Sequence, residues 1–153
     1  MLLLPAIRLA TPADARAIAE LSRDAIEVGL GWTYTPDRIL TAMRSRITNV
    51  AVVYEGWHLL AAGIMDYGDL SAHLVLLGVQ RAQRRRGLGR HVLTWLEACA
   101  LTAGVRRISA EVRADNPGAI AFYEALGYEL RDRVAGYYRP GLDALCLSKR
   151  MGA

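Results

Sequence analysis

The chain has 153 residues, 53% of them apolar and 22% charged, a length and balance that fit one domain (residues 1–153) with an ordinary core and exclude a disordered chain. No apolar run reaches the roughly 20 residues of a membrane span, and Met1-Leu2-Leu3-Leu4-Pro5 is too short for a secretion signal, so a cytoplasmic protein is expected. The net charge is +4, and of the nineteen basic residues only Lys149 is a lysine; such an excess steers an anionic ligand but lacks the aromatic interleaving of a nucleic-acid groove, so no nucleic-acid partner is expected.

Ile7-Arg8-Leu9-Ala10 reads as a first strand. Thr11-Pro12-Ala13-Asp14 then supplies a capping hydroxyl, a proline at the first helical position and an acid in the first turn, and Ile18, Leu21 and Ala25 recur at helical spacing. Gly29-Leu30-Gly31 ends this helix. Past an aromatic loop at Trp32-Thr33-Tyr34, Thr35-Pro36-Asp37 repeats the start signal for a helix with Ile39, Leu40, Met43 and Ile47 on its apolar face. Val50 to Tyr54 and Leu59 to Met65 form a hairpin around Glu55-Gly56, and His73 to Val79 is apolar enough for a central strand buried on both faces.

Leu88, Val92, Trp95, Leu96 and Cys99 mark a third helix, closed by Gly104. Arg107 to Arg113 alternates as a strand, Asn116-Pro117 opens a short helix that Gly127 stops, and two strands follow near Tyr128 to Arg133 and Leu142 to Ser148. The order β-α-α-β-β-β-α-β-α-β-β predicts an α/β fold with a mixed sheet of about seven strands flanked by four helices. Cys99 and Cys146 read as small core residues without metal-ligand spacing, so neither a disulfide nor a metal is expected.

Chemistry concentrates at Arg84-Arg85-Arg86-Gly87-Leu88-Gly89-Arg90, between the buried strand and the third helix. A strand that runs through a glycine turn into a helix start presents free N–H groups and the positive end of the helix dipole, which suit a pyrophosphate. Arginines add charge and bidentate donors. The turn lacks the Gly-Lys-Ser/Thr ending of a Walker loop and the Gly-x-Gly-x-x-Gly spacing of dinucleotide folds. Taken alone, it also reads as a solvated arginine turn.

Arg84-x-x-Gly87-x-Gly89 after Leu76-Leu77-Gly78-Val79 resembles the acetyl-CoA pyrophosphate motif of the GNAT N-acetyltransferase superfamily, and Glu111 to Tyr128 resembles that superfamily's second half-site. The likeness spans nearly the whole chain in element order. It implies acetyl-CoA as co-substrate, with backbone N–H groups of Arg84, Arg85, Arg86, Gly87, Leu88, Gly89 and Arg90 on the pyrophosphate. Leu77 and Val79 would offer main-chain groups to the pantetheine arm. Asn116 and Ala119 would lie along that arm, and Tyr123 would sit near the thioester sulfur. Arg81 and Gln83 depart from the family's usual proline and aromatic. Homodimers occur on this fold, so a monomer or a homodimer is expected.

Aminolysis of a thioester needs a neutral amine, a donor for the oxyanion and a proton or hydrogen bond for the departing sulfur. Tyr123 is the candidate acid, though its helix face is apolar enough for a packing role. Glu111 is the candidate base, though an exposed strand acid would read alike. Glu-Val-Arg before the asparagine is similar to the bacterial ribosomal-protein N-terminal acetyltransferases, which implies the base role. Trp32, Tyr34, His73, Tyr137 and Tyr138 are expected to line the acceptor side, though His73 reads as readily as a satisfied structural histidine and the aromatic pairs as packed corners. Tyr137-Tyr138 is similar to the tyrosines that clasp a peptide N-terminus in those enzymes. His91 is expected at phosphate or solvent, His58 at the surface, and Asp66 and Asp69 near the acceptor or in turns. The sequence therefore predicts direct acetyl transfer to a peptide α-amine or a small amine. A non-catalytic acyl-CoA-binding module is the alternative of another class.

Overall fold

The computed structural model describes residues 3–152; Met1 and Leu2, part of the short apolar start, and Ala153 lie outside the described residues. The elements are β1 (Ile7–Leu9), α1 (Ala15–Leu21), α2 (Pro36–Arg44), β2 (Thr48–Glu55), β3 (His58–Tyr67), β4 (Ser71–Val79), α3 (Leu88–Thr102), β5 (Arg107–Arg113), α4 (Pro117–Ala125), β6 (Glu129–Arg139) and β7 (Leu142–Arg150). Their order is the one the sequence predicts. The strands form one seven-stranded sheet in the order β1-β2-β3-β4-β5-β7-β6, antiparallel except where β4 pairs β5.

A separate apolar cluster covers each face of the sheet. Leu88, Val92, Leu93 and Leu96 of α3 pack with Ala110 and Val112 of β5 and Tyr123 of α4 on one face. Ile18 and Leu21 of α1 and Ile39 of α2 pack with Val52, Ile64 and Leu76 on the other. Start signals hold at three helices: Asp14 accepts from the Thr11 amide at 2.8 Å, Thr35 caps α2 through the Arg38 amide at 3.4 Å, and Asn116 caps α4 through the Ala119 amide at 3.0 Å. One expectation fails at α2. The helix stops at Arg44, and Ile47 is exposed in the turn before β2.

Two irregularities in β4 create the site. Leu74 faces Met65 and Leu76 faces Ile64 on β3, so Val75 is an extra residue in the ladder, a bulge. The alternation of side chains reverses there: Ala72 and Leu74 join the α3 face before it, and Leu77 and Val79 do so after it. In addition, β4 pairs β5 only from Ser71–Leu74 against Arg107–Ala110. Beyond that point β4 pairs with β3 alone and β5 with β7 alone. The two central strands splay, and their inner edges from Val75 and Glu111 onward face a gap.

Candidate active site

The gap opens into a cavity of about 1160 Å³ lined by β4 from His73 to Val79, the turn before α3, the end of β5, the inner face of α4 and the α1–α2 loop. Single small-molecule sites usually hold about 300–1,000 Å³, so this one has room for an extended ligand and a second reactant together.

At one end is the turn before α3. Arg85 has φ 69° and Gly87 φ 79°, two left-handed residues around Arg86. Alternation of this kind turns successive N–H groups to one side and makes an anion nest. A Cβ at Gly87 would meet nothing within 4 Å, so glycine is favoured there by its φ alone. Gly89 differs: a Cβ there would stand 3.3 Å from the Phe122 ring and 3.6 Å from Val79. It lets α3 approach α4 and β4, a packing demand that adds to any approach of phosphate.

Gln83, Arg84, Arg85, Gly87, Leu88, Gly89 and Arg90 line the cavity, but Arg86 does not. Its guanidinium turns back to Gln83 at 2.7 Å and to Glu55 of the β2–β3 hairpin at 3.4 Å. Arg86 thus anchors the turn, and its side chain supplies no cavity charge. His91 also departs from expectation: its ring bonds the Pro5 carbonyl at 2.9 Å and ties down the start of the chain.

Leu77, Val79, Asn116, Ala119 and Tyr123 all line the middle of the cavity. The Asn116 Oδ1 caps α4, and its amide N–H groups remain for a ligand. Tyr123 is 8% exposed, wedged edge-on between Phe122 and Tyr128 at 5.1 and 5.4 Å between ring centroids. Among the described residues its hydroxyl has no hydrogen-bond partner, and none of the fully buried polar side-chain atoms is unpaired, so the hydroxyl opens to the cavity. Burial, and then the neighbouring Tyr138, push its pKa well above the usual tyrosine value. The phenol stays neutral.

Glu111, His73, Tyr34, Tyr137 and Tyr138 meet at the other end. The Tyr137 hydroxyl donates to Glu111 Oε2 at 2.6 Å, and this bond first, with desolvation next, pushes Tyr137 up to about 12. Burial, with Glu111 second, raises Tyr138 to about 12 as well. Oε1, the other Glu111 oxygen, faces His73 Nε2 at 3.9 Å, while His73 Nδ1 lies 2.8 Å from Ser109 Oγ. Trp32 does not reach the cavity. Its indole N–H donates to the Ala19 carbonyl at 3.0 Å and Arg23 stacks on it at 5.1 Å, so it pins the loop to α1. Asp66 accepts from Thr48 at 2.6 Å beside His73, and His58 is exposed.

The contacts of two charged residues were not foreseen from the sequence. Glu27 is 7% exposed and lines the cavity, but its oxygens accept from Ser22 Oγ (2.8 Å) and from the amides of Thr33 (2.7 Å) and Tyr34 (3.2 Å). Arg113, two residues past Glu111, donates to the Val28 carbonyl at 2.6 Å. Neither contact has a local sequence signal.

Residues 35–128 match the acetyltransferase (GNAT) family pattern. An uncharacterised N-acetyltransferase of Methanocaldococcus jannaschii is 30% identical over 94% of this chain and 90% of its own length. The [ribosomal protein bS18]-alanine N-acetyltransferase of Salmonella typhimurium is 42% identical over 44% of this chain and 45% of its own. The crystal structure of the ribosomal-protein-S18-alanine N-acetyltransferase from Escherichia coli superposes with a TM-score of 0.84 at 22% identity, covering 97% of this chain and 94% of that one, a likeness of fold. A seven-stranded sheet splayed at its centre, a nest of amides before α3 and this match over more than half the chain lead to one assignment: the protein belongs to the GNAT acetyltransferase family and is an acetyl-CoA-dependent N-acetyltransferase.

Proposed function

We propose that the enzyme transfers acetyl from acetyl-CoA directly to a peptide N-terminal α-amine, in a ternary complex within the central cleft. The observation that carries this reading is the presence of Glu111 and the unpartnered Tyr123 hydroxyl in one cavity, on either side of the β4–β5 splay and beyond the amide nest.

Acetyl-CoA, when bound, supplies an activated acyl group and a thiolate leaving group. The residues fit such a molecule. Amides of Arg85, Gly87, Leu88, Gly89 and Arg90 would hold the pyrophosphate, the Arg84 amide already donating to the Arg81 carbonyl at 3.4 Å, with the Arg84, Arg85 and Arg90 side chains adding charge. The unpaired inner edge of β4, including Leu77 and Val79, would bind the pantetheine arm and the acetyl carbonyl through its main chain, and Asn116 and Ala119 would border that arm.

Glu111 would take the proton from the incoming ammonium. Tyr137 occupies one of its oxygens and leaves Oε1 for the amine. Glu27, with its oxygens engaged by the loop, is poorly placed to do this. An α-amine has an unperturbed pKa of about 7.7–8.0, against about 10.4 for a lysine side chain, so a carboxylate deprotonates the former more readily near neutral pH. Tyr123 would donate a hydrogen bond to the departing sulfur. Its burial makes a tyrosinate costly, so this role is hydrogen-bond stabilisation of the leaving group. As the C–N bond forms and the C–S bond breaks, the attacking nitrogen's second proton passes to the departing sulfur or to solvent. Tyr34, His73, Tyr137 and Tyr138 would frame the acceptor.

The named activity of the Salmonella relative supports alanine as a first residue to try. The test is thiol release from acetyl-CoA against alanine-leading peptides and small primary amines. Turnover on the peptides supports the proposal, turnover on small amines alone replaces the acceptor, and tight binding without turnover on either favours a non-catalytic module.

A further inference from the structure

The loop between α1 and α2 has two charged anchors from different directions. Glu27 holds it from within, through Ser22 and the amides of Thr33 and Tyr34. Arg113 holds it from across the cleft. Its Nη1 donates to the Val28 carbonyl at 2.6 Å and reaches the Ile26 carbonyl at 3.4 Å. Its Nε and Nη2 grip Asp115, each at 3.1 Å. The side chain is only 18% exposed, and the partners are 85 and 87 residues away in sequence.

The location gives the contact a meaning. Arg113 is the last residue of β5, beyond the point where β4 and β5 part. It shares a strand face with Glu111, about 7 Å further along at the usual rise per residue. Ile26 and Val28 follow α1, in the segment that lies against β4: a Cβ on Gly78 would come within 2.8 Å of Ile26. The guanidinium therefore joins the two walls of the splay just past the base. The job needs its planar fork, since two nitrogens hold Asp115 while the third reaches the carbonyls.

Resting on the reading of this cleft as the site of acetyl transfer to an amine, we infer that Arg113 is a positioning residue that straps the α1–α2 loop over the acceptor side. Tyr34 and Tyr137 line the cavity with Glu111, so holding the loop holds Tyr34 in place relative to the base. The strap thus favours acceptors that enter end-on between them, such as an extended chain terminus.

Hydrogen exchange over residues 27–34 and initial rates with an alanine-leading tripeptide amide test this in Arg113→Ala and Arg113→Lys, with Asp115→Asn as a milder variant. Loop amides should exchange at least about tenfold faster in both Arg113 variants, while α2 and α3 keep wild-type protection and so report an intact fold. The acceptor KM should rise by at least about tenfold, the loss of a charge-assisted hydrogen bond, with a smaller change in kcat. Asp115→Asn should move both readouts in the same direction by less. Unchanged loop exchange in Arg113→Ala overturns the strap, and a loosened loop with unchanged acceptor KM overturns its positioning role. A wild-type enzyme inactive on the peptide would count against the proposed acceptor, while the exchange measurement would still decide the strap.

Discussion

Tyr123 and Glu111 are both functional candidates, but their surroundings give them different work. Tyr123 is enclosed by aromatic rings, keeps its proton and has a hydroxyl free for the cavity. Glu111 is partly solvated and has one oxygen held by Tyr137. Tyr123→Phe should therefore lower kcat by about ten- to a hundredfold, the range for a lost hydrogen bond in the transition state, with less effect on the acetyl-CoA KM. Steady-state rates of the two proteins check this. A fall in KM alone, or no change, would return Tyr123 to a packing role. The sequence indicated both residues through the family motif. It did not indicate that burial raises the Tyr123 pKa, because that depends on Phe122, Tyr128 and Tyr138 closing around it.

Elements were readable wherever the pattern was local. Caps at Thr11, Thr35 and Asn116 and the apolar periods of α3 and β5 predicted boundaries the fold reproduces closely. Ile47 misled because its spacing continues the α2 stripe after the chain has turned. The bulge at Val75 and the β4–β5 splay were not legible, since a continuous apolar run gives no sign of where its neighbours stop pairing. Arg113 and Glu27 escaped for a related reason: their partners are backbone groups set by the fold.

Two element-scale outcomes follow. Gly89→Val should weaken acetyl-CoA binding by about tenfold or more and destabilise the fold by about 1–3 kcal/mol, because its side chain meets Phe122 and Val79; calorimetric titration and thermal melting read both. Ahead of α1, Arg8 first and then the Thr11 amide hold Asp14 at about 2, against an ordinary 3.8. Since the folded value is lowered, this stabilisation is complete above about pH 4 and is lost as pH falls through about 2; with Arg8 half exposed it amounts to about 1–2 kcal/mol. Asp14→Asn should flatten that part of the acid limb in denaturant titrations between pH 5 and pH 2.

For the whole molecule, the arginine charge and the candidate catalytic residues are separated along one cleft. The arginine turn lies at one end, the carboxylate with its tyrosines at the other, and the neutral phenol between them. This arrangement suits a long anionic donor and a cationic acceptor that meet at the splay, and the family assignment agrees with it. The acceptor end is the less legible half, because it is assembled from the α1–α2 loop, β5 and β6, three segments far apart in sequence. The most direct test is mass analysis of two peptides after incubation with acetyl-CoA and enzyme: one with a free N-terminal alanine and an internal lysine, the other identical but blocked at its N-terminus. A single acetyl group on the α-amine of the first peptide and none on the second is the predicted result. Equal acetylation of lysine in both, or no acetylation of either by enzyme that binds acetyl-CoA, would contradict transfer to a peptide α-amine.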